Sequence, residues 1–286
     1  MTTPDTDGYA IRAMSPREVV TAIEWAAAEG WNPGVHDAEC FRAVDPNGFL
    51  MGFLNGEPIA SISVVKYGTA FGFLGLYIVK PSHRGGGYGL RLWKAGLDYL
   101  GDRSVGLDGV VAQQANYRSS GFELAYRNVR YEGSGGNASP IDPRVVPLST
   151  IPFAALDRYD EDVFRVDRAR FLDLWIRQPQ CAALGFVQGG ALAGYGVRRR
   201  ALVGHKIGPL FANDAEAAEA LFGALAADVP ADEPVYLDVP EPNAAAVDLA
   251  RRHDMRIVFE TARMYAGGAP DVPVDRVFGV TTFELG

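Results

Sequence analysis

Residues 71–79, FGFLGLYIV, are apolar almost throughout, and Pro81 ends the run by removing a backbone donor from any ladder. Leu74, Leu76, Ile78 and Val79 mark this stretch as a buried strand. Beyond Pro81 the period changes. Leu90, Leu92, Trp93 and Leu97 recur at helical spacing, which predicts a helix over about 87–100 with its apolar stripe against a sheet. Ahead of the strand, residues 49–66 read as a hairpin around Asn55-Gly56, preceded by helical segments, and a short strand at 105–107 follows the helix. The second half repeats this order: a hairpin at 181–197 around Gly189-Gly190, a strand at 206–211, a helix at about 215–226 and a strand at 235–239.

Residues 132–147, EGSGGNASPIDPRVVP, concentrate Gly, Ser, Asn and Pro with little periodicity. They divide the chain into a predicted domain at 1–133, a linker at 134–147 and a second domain at 148–286. An offset of 133 places Phe122 on Met255, Tyr126 on Phe259 and Arg130 on Arg263 (263 − 130 = 133), so the halves read as a duplication.

A chain of 286 residues suits two domains, each with a real core, and 48% apolar with 22% charged residues is ordinary globular composition. The net charge of −8 argues against nucleic acid or an anionic membrane as partner. The one basic run, Arg198-Arg199-Arg200, reads as a solvated strand end. Cys40 and Cys181 show neither metal-ligand nor disulfide spacing, and His36, His83, His205 and His253 form no metal-binding pattern. No metal is expected. The segment MTTPDTDGYAIRAM lacks a basic and an apolar targeting region, and no stretch reaches about 18 uninterrupted apolar residues, so a reducing cytoplasm is the expected compartment. The oligomeric state is left open.

The chemistry concentrates where the strand at 71–79 meets its helix. Gly85, Gly86, Gly87 and Gly89 let main-chain N–H groups crowd together at a helix start, which binds anions through free donors and the helix dipole. A Walker loop would need Gly-Lys-Ser/Thr, but the chain reads Gly89-Leu90-Arg91. A dinucleotide fingerprint would need G-x-G-x-x-G, but the glycines run G-x-G-x-G. The template R-x-x-G-x-G is met at every fixed position by Arg84-Gly85-Gly86-Gly87-Tyr88-Gly89, after Val79-Lys80-Pro81. This stretch resembles motif A of the GNAT acetyltransferase superfamily.

The resemblance implies an α/β fold of α+β type with two GNAT-like domains, each a mixed, mostly antiparallel sheet with flanking helices. It implies acetyl-CoA as co-substrate, its pyrophosphate held by Arg84, Gly85, Gly86, Gly87, Tyr88, Gly89 and Leu90. Main-chain groups of Tyr77, Ile78 and Val79 would meet the pantetheine arm and the acetyl carbonyl. The family's tyrosine four residues before a Gly-Phe pair falls on Tyr117, ahead of Gly121-Phe122. A phenol with reference pKa about 10 stays protonated at neutral pH and can donate to a departing thiolate, so Tyr117 is the candidate general acid.

Where the family often has an asparagine eight residues earlier, this chain has Gly109, and Gln113, Gln114 and Asn116 are the available replacements. Asp108 is a candidate base, with a surface Asp-Gly turn as the competing reading. Trp31 and Asn32 are acceptor-site candidates in the loop that walls the acceptor pocket in this superfamily. The tail, with a strand-like stretch at 277–283, is expected to cross back over the first domain. In the second half the offset sets Ala217, Ala218, Ala220 and Phe222 against the loop, and Ala250 against Tyr117. One active site per chain is therefore expected, acetylating a small-molecule amine. A coenzyme A-binding regulatory module without turnover and a nucleotide-dependent oxidoreductase are the competing classes.

Overall fold

The computed structural model describes residues 8–136 and 142–286. The first half runs β1 (Tyr9–Ala13), α1 (Pro16–Ala28), α2 (Asp37–Val44), β2 (Phe49–Leu54), β3 (Glu57–Tyr67), β4 (Phe71–Val79), α3 (Tyr88–Leu100), β5 (Ser104–Val110), α4 (Gln114–Ser119) and β6 (Glu123–Ser134). The second runs β7 (Val145–Pro147), α5 (Phe153–Phe164), α6 (Ala169–Trp175), β8 (Ala182–Gln188), β9 (Ala191–Arg200), β10 (His205–Ala212), α7 (Ala215–Ala227), β11 (Pro234–Pro240), α8 (Ala244–Arg252), β12 (Arg256–Ala266) and β13 (Val277–Gly279). The predicted hairpins, strand-to-helix units and short strands are all present. No helix among the described residues is long and apolar enough to cross a membrane.

The two halves share one sheet, in the order β1-β2-β3-β4-β5-β12-β6-β11-β10-β9-β8-β7, with β13 added to β10. It is mixed and mostly antiparallel, with parallel pairs at β4–β5 and β10–β11. The last long strands are exchanged: β12 of the second half inserts between β5 and β6, and β6 of the first half lies between β12 and β11. The predicted boundary at 133 is therefore not where the packing divides. The predicted linker also shrinks, because Val145–Pro147 pairs with β8, while residues 137–141 lie outside the described residues.

The exchange has the symmetry of the sequence offset. Asn128 pairs with Thr261 (128 + 133 = 261), and the pairs Tyr126 with Arg263 and Arg130 with Phe259 are images of each other about that point. Two buried ion pairs also repeat, their arginines at the same offset and their aspartates three residues short of it (238 − 108 = 130). Arg263 of β12 grips Asp108 of β5 (Nε–Oδ1 3.0 Å), and Arg130 of β6 grips Asp238 of β11 (Nε–Oδ1 2.6 Å). Asp108 is thus neither a turn residue nor solvated, since its side chain is fully buried inside a strand.

The offset does not hold across the glycine loop, which corrects the pairing of Arg84 with Ala217. The strands agree with it, the last parallel pairs starting from Leu74 and Ile207 (207 − 74 = 133). The helices do not: α3 begins at Tyr88 and α7 at Ala215 (215 − 88 = 127), so the second half is six residues shorter between strand and helix. The loop is absent there rather than substituted. A second correction concerns Arg199, which is 2% exposed and paired with the fully buried Asp37 of α2 (2.9 Å), not solvated. The side chain of Arg199 points between the halves, where pairing with Asp37 removes the cost of an isolated buried charge.

Candidate active site

β4 and β5 pair in parallel only from Phe71 with Ser104 to Leu74 with Leu107, and then part. At the parting, β4 carries a bulge: the register against β3 shifts between Ser61 and Ser63, and Leu76 sits in the left-handed region at φ 46°. Such a conformation costs on the order of 1–3 kcal/mol at a non-glycine residue, and it is held by the Ser61 hydroxyl donating to the Leu76 carbonyl at 2.8 Å. Past the bulge, no strand covers the β5-facing edge of Tyr77, Ile78 and Val79 among the described residues.

Two cavities meet in this gap. One lies between the strands and is lined by Leu74, Gly75, Leu107 and Gly109 of the first half with Phe259, Thr261, Phe283 and Glu284 of the second. The other is a groove running from Arg84 and Leu90 past Ile78 and Val79 to Trp93, Gln113 and Asn116. Trp31, Tyr77, Val110 and Tyr117 line both.

The glycine loop closes one end of the groove. Gly87 caps α3 in the left-handed conformation (φ 81°), and no side chain accepts from the helix's first N–H groups. Nothing lies within 4 Å of where a Cβ would sit on Gly85 or Gly87, so the backbone there faces open space. Gly89 serves packing instead, because a Cβ would meet the Tyr77 hydroxyl at 2.6 Å and Val79 at 2.9 Å. Arg84 does not point freely into the groove. Its Nε donates to the Val79 carbonyl at 2.9 Å and its Nη2 pairs with Glu29 just after α1, which ties the loop to the strand end. The free donors, the dipole of α3 and the uncovered strand edge fit an extended diphosphate carrier such as coenzyme A. Trp93 Nε1, buried without a partner among the described residues, lines the same groove.

Tyr117 lies on α4 with its ring stacked on Trp93 at 5.7 Å between centroids. Burial, with a smaller contribution from Tyr77, pushes its phenol up to about 12. A Cβ on Gly109 would collide with the Tyr117 ring, which gives the departure from the superfamily's asparagine a steric reason. Asp108 also lines the cavity between the strands, but its carboxylate is taken up by other side chains. Arg263 engages both its oxygens, and Asn128 Nδ2 donates to it at 2.7 Å. A carboxylate so committed is a structural anchor.

Trp31 forms part of both cavities, but Asn32 does not. Its amide exchanges two hydrogen bonds with the Val203 main chain (3.0 and 2.9 Å), fastening the α1–α2 loop to the second half. The Trp31 carbonyl accepts from Arg130 at 2.8 Å and from Lys206 at 3.3 Å. Burial, followed by the charge of Arg130, pushes the Lys206 ammonium down from 10.5 to about 7. From about pH 7 toward 10.5 the unfolded chain then holds a proton that the folded chain lacks, so this group makes stability rise with pH. Lys206→Met should flatten that rise, read as the difference in Tm between variant and parent across the same buffers. An unchanged slope would show that Lys206 keeps its ordinary protonation.

Residues 17–122 match the acetyltransferase (GNAT) family model, and residues 156–279 match a further model described as an acetyltransferase (GNAT) domain. A holothin acyltransferase from Pseudoalteromonas sp. (strain SANK 73390) is 32% identical over 263 residues, covering 92% of this chain and 90% of that relative. The chain belongs to the GNAT acetyltransferase family. Two solved structures share its fold. A candidate acetyltransferase from Pyrococcus horikoshii aligns with a TM-score of 0.85 at 23% identity, over 99% of this chain and 98% of that one. A tandem GNAT protein from the clavulanic acid biosynthesis pathway aligns with 0.65 at 14%, over 92% and 100%.

The two GNAT copies part company at their gaps. In the second copy, Asp214 caps α7 by accepting from Ala217 N–H at 2.9 Å, which sets a carboxylate at the helix start where the first copy has Gly87. Its strand gap is also filled. β13 pairs with Leu210 and Phe211, the positions matching Tyr77 and Ile78 (210 − 77 = 133 and 211 − 78 = 133), and Val280 N–H donates to the Asp238 carbonyl. The tail then crosses to the first copy, as the sequence suggested. There the Tyr67 hydroxyl donates to the Leu285 carbonyl at 2.9 Å, and the Glu284 main chain lies against Gly75. Sequence reasoning missed that Phe259, Thr261, Phe283 and Glu284 reach this N-acetyltransferase site from the other half. The apolar tail was the available signal.

Proposed function

We propose that this chain transfers an acetyl group from acetyl-CoA directly to the primary amine of a small molecule, at one site in its first half. The observation that carries the reading is that Trp31, Tyr77, Val110 and Tyr117 line both the groove ending at the glycine loop and the cavity between the parted strands. A donor laid along the groove and an acceptor in the cavity would meet at those four residues. In this reading Arg84, Gly85, Gly86, Gly87, Tyr88, Gly89 and Leu90 form the pyrophosphate cradle. Main-chain groups of Tyr77, Ile78 and Val79 hold the pantetheine arm and polarise the thioester carbonyl. Tyr117 protonates the leaving thiolate, Trp31 walls the acceptor, and Asp108 is withdrawn as base and Asn32 as acceptor contact. The apolar walls supplied by Phe259 and Phe283 suit a small acceptor, as does a relative whose name gives holothin as its acceptor.

Calorimetric titration tests the donor. Acetyl-CoA should bind with a Kd in the micromolar range and NAD should not bind. Arg84→Ala should weaken acetyl-CoA about tenfold or more, from the loss of charge-assisted bonds that hold the loop. Tight NAD binding would sink the reading in favour of a nucleotide-dependent oxidoreductase. Binding of acetyl-CoA with no thiol released across a panel of amines would favour a regulatory module.

A further inference from the structure

We infer that Glu284, brought into the first copy's site by the second copy's tail, is the carboxylate that receives the acceptor's ammonium and takes its proton. The inference rests on the acetyl-transfer reading above. Glu284 is 4% exposed and lines the cavity beside Trp31, Thr261 and Phe283. Its carboxylate makes no hydrogen bond or ion pair with any described residue, and its oxygens are not among the sealed, unpaired polar atoms. With no hydrogen-bonded partner inside the chain, that carboxylate is available to a cation from outside it.

The two basic groups nearest in effect are already committed. Arg130 is held by Asp238 (2.6 and 2.7 Å) and the Trp31 carbonyl, and Lys206 donates to that same carbonyl. Both act on Glu284 through space only. The tail is also fixed in place. The Thr282 hydroxyl accepts from the N–H groups of Glu284 and Leu285 at 3.1 and 3.0 Å, and the Glu284 main chain presses on Gly75, just before the bulge. A primary ammonium is the cation that fits both the site and the reaction. It would dock on Glu284 across the cavity from Tyr117.

The nitrogen gives up two protons in all. Glu284 takes the first, which makes the nucleophile, and releases it to solvent. It takes the second as the N–C bond forms and the C–S bond breaks, while the thiolate receives the Tyr117 proton. Tyr117 is then reprotonated, and the net release is one proton. The titratable groups around Glu284 are Arg130, Lys206 and Asp238 behind it, and Asp108, Tyr77 and Tyr117 around the cavity.

The test measures thiol release for Glu284→Gln, Glu284→Asp and the parent against a panel of primary amines, with acetyl-CoA affinity and Tm recorded for each. Glu284→Gln should lower kcat/KM by about 10² to 10⁴ with acetyl-CoA affinity unchanged. Its rate should keep climbing with pH toward the acceptor's own pKa, where the parent levels off earlier. Glu284→Asp, which keeps the charge, should recover part of the loss. A Glu284→Gln rate within about twofold of the parent, with the same pH profile, overturns the role of Glu284 alone. A parent that neither binds acetyl-CoA nor releases thiol overturns the acetyl-transfer reading and this inference with it.

Discussion

Tyr117→Phe should lower kcat for acetyl transfer by about 10² to 10⁴ while leaving acetyl-CoA affinity and Tm close to those of the parent. The substitution isolates the hydroxyl, because phenylalanine keeps the ring that stacks on Trp93 and fills the space against Gly109. With its phenol pushed up to about 12, Tyr117 holds its proton across the whole working range of pH. No limb of the rate profile near neutrality should therefore belong to it. Against a thiol of ordinary pKa about 8.5, complete transfer from such a phenol is uphill. The proton then moves late, as the C–S bond breaks and sulfur charge builds in the same desolvated gap. Single-turnover rates with saturating acetyl-CoA give the measurement, and an unchanged rate removes Tyr117 from the chemistry.

Arg263→Met should cost about 3–5 kcal/mol of stability, because it leaves the Asp108 carboxylate buried without its cation. Arg263 is carried by β12 and Asp108 by β5, so the loss falls on the seam where the halves exchange strands. The double variant Arg263→Met with Asp108→Leu should recover most of that loss, since a buried pair replaced by apolar residues of similar volume is close to neutral. Urea unfolding of the parent, both single variants and the double variant closes the cycle. A cost below about 1 kcal/mol for Arg263→Met would mean that Asn128 and Thr261 suffice to hold Asp108.

The strand-to-helix unit, both hairpins and the position of Tyr117 were legible because they rest on local period and on glycine, which act within a few residues. The strand exchange was not. The apolar pattern of β6 and β12 calls for buried strands, and neither pattern names its neighbour. Asp108 read as a turn residue because Asp-Gly is a turn pair, whereas its partner Arg263 lies 155 residues further on. Asp37 and Arg199 are 162 residues apart, so the basic run at 198–200 looked solvated. Asn32, at φ 50°, marks a left-handed turn whose side chain is spent on Val203, a contact that no spacing rule anticipates. The ungapped offset also hid the six-residue difference, since it matched at β4 and again at β6.

β13 closes the second copy's gap by pairing where the first copy leaves its strand edge uncovered. The tail thus behaves as a tethered ligand of the second copy, present at the high effective concentration that a short covalent linkage confers. Its seat in that gap fixes where Phe283 and Glu284 emerge into the other. The copy whose gap β13 fills is therefore the fixture against which the acceptor wall of the other copy's site is set.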